Sequence, residues 1–127
     1  MKELTKAEEQ VMQILWDIEK GFVKEILVKM EDPRPAYNTV STIVRILEKK
    51  GFVGYTAYGK SHQYYPLITQ ETYSREYLDT FVGNYFGGSF SKLVSFFAKE
   101  KNLSVNDMDE LMKHVKNDMG NDKPSEK

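Results

Sequence analysis

Apolar positions recur with a period near 3.6 along most of this chain and shift to short β-prone runs over one stretch near its middle. Leu4 to Ile18 is the first helical stretch. Thr5 with Glu8 three residues on makes a capping box, Leu4 can staple to the second turn, and Leu4, Ala7, Val11, Ile14, Leu15 and Ile18 form the stripe expected to be buried. Trp16 is expected to pack in the core or at its flank. Lys20-Gly21 breaks the helix. Phe22 to Met30 reads as a short second helix with Phe22, Val23, Ile26, Leu27 and Met30 on its inner side, and the proline-rich run Glu31 to Pro35 cannot continue it. Pro35 to Gly51 is the third helix. Val40, Ile43, Val44 and Leu47 face inward, Lys49 and Lys50 suit its negative end, and Gly51 is expected at the residue just past its C-cap.

After Gly51 the runs Phe52 to Tyr58 and His62 to Leu67 flank Gly59-Lys60-Ser61, which predicts a β-hairpin with its tip at Lys60. Tyr55, Tyr58, Tyr64 and Tyr65 are expected to pack across the strands. Three helices and a hairpin give a winged helix-turn-helix over residues 1–68. Helical spacing then returns. Thr69 to Phe86 carries Tyr73, Tyr77, Phe81 and Tyr85 at intervals of four, with Gly83 and Gly87-Gly88 loosening and ending it. Phe90 to Lys99 places Phe90, Leu93, Val94 and Phe97 on one face with Phe96 adjoining. Ser104 with Asp107 opens a last helix whose stripe is Met108, Leu111, Met112 and Val115. The predicted fold is therefore mainly α with a small hairpin wing, a helical dimerisation region over 69–118, and a disordered tail over 119–127, which from Gly120 onward has no apolar anchor. Three short helices this rich in aromatic residues cannot cover their own stripes, which implies burial against a second copy.

Composition changes the picture in three places. The 127-residue chain has no cysteine, which removes disulfides and thiolate metal sites, and no metal or cofactor is expected. It has no apolar run long enough to span a membrane and no signal-peptide pattern at its start, so a cytoplasmic protein without membrane insertion is the default. Net charge is −1, but residues 34–66 hold five basic side chains against Glu48 alone, while residues 67–127 hold eight basic and ten acidic ones. A basic middle joined to an acidic end fits a phosphate-facing surface attached to a segment with another task.

The outer face of the third helix carries the candidate chemistry. Asn38, Ser41, Thr42, Arg45 and Lys49 are short donors or acceptors and cations, suited to base edges and phosphates in a major groove. Arg34 ahead of the helix, Thr39 in its first turn and Lys60 at the wing tip complete the residues assigned to double-stranded DNA. An enzyme is the rival class, with His62 and His114 as its candidate acid–base groups, but no nucleophile motif accompanies either. Asp107, Asp109 and Glu110 lack the glycine of a calcium loop and read as a solvated first turn. A winged helix that binds protein instead of DNA is the nearer alternative.

The segments LTKAEEQVMQILW at Leu4 to Trp16, NTVSTIVRILEKKGFV at Asn38 to Val53, QYYPLIT at Gln63 to Thr69 and FGGSFSKLVSFFAKEKNLS at Phe86 to Ser104 resemble, in order and spacing, the penicillinase-repressor family of bacterial regulators, the BlaI/MecI/CopY group. The resemblance implies a homodimeric repressor that binds a dyad operator and blocks a resistance or stress gene. It also implies release through a membrane sensor with a metalloprotease domain, by cleavage between the positions held here by Phe96 and Phe97. This chain has Phe96 where related repressors have asparagine. The copper-responsive branch carries a cysteine-rich metal site that a chain without cysteine cannot build.

Overall fold

A computed structural model describes residues 3–121. Its elements run α1 (Lys6–Ile18), α2 (Val23–Val28), α3 (Tyr37–Lys49), β1 (Val53–Tyr58), β2 (Ser61–Pro66), α4 (Gln70–Phe86), α5 (Phe90–Glu100) and α6 (Val105–Asn121). This is the expected winged helix-turn-helix followed by three helices. The chain divides into two compact units, Met1–Tyr77 and Leu78–Lys127.

In the first unit, Val11, Met12 and Leu15 of α1, Val23 and Ile26 of α2, Val40, Val44 and Leu47 of α3, and Phe52, Val53 and Tyr64 around the hairpin enclose one core. Fully burying such side chains contributes roughly 1.5–3 kcal/mol each. The α1 stripe is turned from the one expected: Met12 is fully buried while Ala7 is exposed. The cause is Glu8, a polar residue drawn inside. Its carboxylate accepts the Thr5 amide at 2.8 Å in the capping box and Lys50 Nζ at 2.8 Å from the end of α3. Burial alone would raise the Glu8 carboxyl, but Lys50 and the Thr5 bonds outweigh it and hold the group below its ordinary value.

Local chemistry sets the remaining boundaries. Gly51 adopts φ +84° and the Phe52 amide donates to Leu47 O at 2.9 Å, which closes the C-terminus of α3. The hairpin register runs from Val53↔Pro66 to Tyr58↔Ser61, so Ser61 begins the second strand and the turn is Gly59-Lys60 alone. Gly59, at φ +62°, takes the first turn position and Lys60, in the second, is not at positive φ, which makes a type II′ turn. A two-way backbone bridge between Gly21 and Tyr64 ties the wing to the segment after α1.

The first unit extends past the expected boundary at residue 68. Thr69 caps α4 through the Thr72 amide, and Tyr73, 8% exposed, turns into the core. Its hydroxyl donates to Glu9 at 2.6 Å, and its ring packs on Trp16 and Phe52. Trp16 Nε1 in turn donates to Ile68 O at 2.8 Å, consistent with a packing role.

The second unit holds the rest of α4 with α5 and α6. Gly83 does not interrupt α4, which ends at Gly87 and Gly88 where the Gly88 amide closes onto Val82 O at 3.0 Å. Ser89 caps α5 and Ser104 with Asp107 forms a reciprocal box at α6. Residues 119–121, expected in the tail, continue α6, while 122–127 lie outside the described residues. Val82 is the one buried hydrophobic side chain among the described residues of this unit. No described helix is long and apolar enough to cross a membrane.

Candidate nucleic-acid interface

Helix α3 presents its inner row to the core and leaves Asn38, Thr39, Thr42, Arg45 and Lys49 exposed, with Ser41 half-buried. Two of these side chains already bond their own helix. Thr42 Oγ1 donates to Asn38 O at 2.9 Å and Arg45 Nε donates to Ser41 O at 3.3 Å. The Thr42 bond turns its hydroxyl back along the helix, and the Arg45 bond fixes the stem of a long cation.

Between this helix and the wing lies an open cleft of about 640 Å³. Ser41 and Arg45 from α3 line one wall, and Lys60 with Ser61 from the hairpin tip lines the other. Asn38, Thr39, Thr42 and Lys49 are exposed along α3 but do not line this cleft. The Arg34 guanidinium donates to Val28 O at 3.3 Å, the last residue of α2, and to Met30 O at 3.4 Å, just past its end.

The cleft adds residues that sequence reasoning did not assign: Lys24 from α2, Tyr37 from the first turn of α3, and Tyr58 and His62 from the wing. Lys24, Arg45 and Lys60 thus converge from three elements. Glu25 is the acid beside them, and its carboxylate is engaged by the Phe22 amide at 2.8 Å. Tyr37 was accessible from spacing, since it precedes Ser41 and Arg45 by four and eight positions. Lys24 carried no such sign, because only the tertiary fold brings α2 to the wing. His62 stacks on Tyr55 with ring centroids 4.0 Å apart, and Tyr55 leans on buried Tyr64 at 5.9 Å. This ladder braces the wing from its base and gives His62 a packing role. His114 is exposed on α6. Among the described residues, no group of three His, Cys, Asp or Glu side chains is placed to hold a metal ion.

In the second unit Tyr85, Phe90, Val94, Phe96, Phe97, Leu111, Met112 and Val115 are exposed, and Phe81, Leu93 and Met108 are half-buried. Phe81 touches Tyr85 and Phe86, and Phe86 touches Phe96, with centroids 5.1 to 5.9 Å apart. Tyr77, at the end of the first unit, is also exposed. Tyr73 does not join this surface, because the core described above holds it.

The sequence matches the penicillinase repressor family model over residues 4–117. The chain belongs to the penicillinase repressor family. It is therefore a winged-helix, DNA-binding transcriptional repressor. Over 110 residues it is 28% identical to the methicillin resistance regulatory protein MecI of Mammaliicoccus sciuri, an overlap of 86% of this chain and 89% of that protein. MecI of Staphylococcus aureus strain N315 is 27% identical over the same shares. The penicillinase repressor of Staphylococcus aureus is 26% identical over 86% of this chain and 87% of its own. The solved CopR repressor structure covers 53% of this chain and 99% of its own, at 26% identity and a TM-score of 0.45.

Proposed function

We propose that this repressor binds a dyad operator in duplex DNA as a homodimer, placing α3 in the major groove and the hairpin beside it on the backbone. The observation that carries the reading is the cleft between α3 and the wing, where Lys24, Arg45 and Lys60 converge. Three cations from separate elements follow a phosphate strand better than they follow a small ligand, and α3 offers the short polar side chains that read base edges. Dimerisation uses the exposed aromatic face of the second unit together with Tyr77. A second copy supplies matching apolar surface at the same helices, as a two-fold interface requires. Such a pair holds two recognition helices at one spacing on cytoplasmic DNA.

Release occurs by cleavage of the Phe96–Phe97 bond after a signal from a membrane sensor protease. That bond lies inside α5, so a protease reaches it only when the helix opens locally. The cut detaches α6 and part of the aromatic face, and affinity for a dyad falls by the lost effective concentration, on the order of a hundredfold. Fragment masses from induced cells test this step. An intact chain that leaves its operator would contradict it.

Titration of promoter duplex at several salt concentrations tests the DNA reading. Steep loss of affinity with salt is expected, because each neutralised phosphate contributes roughly 0.9 to the logarithmic slope. Absence of duplex binding would favour a winged helix that binds protein.

A further inference from the structure

Tyr37 occupies the first position of α3 and is 48% exposed, with its ring on the wall of the cleft. Side chains on a helix lean toward its N-terminus, so this ring projects ahead of Ser41 and Arg45 in the same row. Those two offer a hydroxyl and a guanidinium. Tyr37 is the one large apolar surface the row presents, at the helix end that approaches bases most closely in helix-turn-helix docking. In the major groove the apolar mark that distinguishes a base pair is the 5-methyl group of thymine. We infer that Tyr37 is a specificity-determining residue of this repressor, its ring packing on a thymine methyl in each operator half-site.

The inference rests on the DNA-binding reading and deepens it. Half-exposure of the ring means that its removal leaves the core intact, so a change in sequence preference is separable from a change in folding. The hydroxyl is not required for the contact. Tyr37→Phe therefore keeps the preference and Tyr37→Ala loses it.

The experiment selects duplexes from a randomised library with the full-length wild-type chain, Tyr37→Ala and Tyr37→Phe, and then replaces the selected thymine by uracil. Wild type and Tyr37→Phe are expected to prefer thymine at one position per half-site, and Tyr37→Ala to show no preference there. Uracil at that position should weaken the wild type about fourfold, the effect of one buried methyl, and leave Tyr37→Ala unchanged. An unaltered preference in Tyr37→Ala overturns the inference while leaving DNA binding in place. Uniform weakening across all sequences overturns it too, and makes Tyr37 a backbone contact. Loss of the preference in Tyr37→Phe assigns it to the hydroxyl and refutes the methyl contact. A wild-type chain that enriches no duplex at all removes both this inference and the DNA reading.

Discussion

Among the described residues, the unit Met1–Tyr77 closes a core of thirteen buried residues drawn from three helices, the wing and the first turns of α4, whereas the unit Leu78–Lys127 buries Val82 and leaves its other large apolar side chains partly or largely open. Both are built from short helices, and side-chain caps at Thr5, Thr69, Ser89 and Ser104 occur in both, while α2 and α3 start without one. Capping therefore does not separate the two units, and the number of faces that meet decides whether a unit is closed. Tyr73 and Tyr85 show the difference within one helix. Tyr73 is 8% exposed and finds Glu9, Trp16 and Phe52, while Tyr85, three turns later, is 72% exposed. On the proposed reading, a second copy supplies for Tyr85 what the winged helix supplies for Tyr73.

Truncating a side chain in each unit breaks the comparison most directly. Leu15→Ala should destabilise the first unit by roughly 2–5 kcal/mol, at a cost that does not change with protein concentration. Chemical denaturation at two concentrations checks this. Phe97→Glu should leave the winged helix folded but weaken binding to a dyad about a hundredfold, because an ionised carboxylate would have to enter an apolar contact. A gel shift against a single half-site, where little change is expected, isolates the effect to pairing.

The Glu8–Lys50 bond gives a smaller effect confined to the first unit. Lys50→Met leaves a buried carboxylate without its cation and should cost about 1–3 kcal/mol at neutral pH. The folded Glu8 carboxyl lies below its ordinary value, so its contribution is present above the unfolded pKa near 4.5 and is lost as pH falls through the depressed folded value. The stability gap between wild type and Glu8→Gln should accordingly narrow in acid, as melts from pH 7 down to pH 3 would register. Smallest is Lys60→Ala at the exposed wing tip, which should reduce the salt slope of DNA binding by about one unit, alike for all sequences.

Much of the first unit was legible from residues near one another in sequence. The Thr5 and Glu8 box, the inner row of α3, Gly51 past its end and the hairpin tip all depend on local geometry, and the structure places each as expected. Readings that depend on distant partners differed. Glu8 is inside because Lys50 meets it, and Tyr73 leaves the aromatic row because Glu9 and Trp16 receive it. Lys24 joins the cleft only through the approach of α2 to the wing. The spacing of Tyr73, Tyr77, Phe81 and Tyr85 is truly periodic, yet one of the four turns into the winged-helix core and another is among the most exposed.

Sedimentation velocity of the full-length chain from nanomolar to tens of micromolar tests the central claim, that the open aromatic face is completed by a second copy. The account expects a species of about twice 14.8 kDa at micromolar concentration, with Phe97→Glu sedimenting at the monomer mass throughout. A wild-type chain that remains at the monomer mass across that range would contradict it.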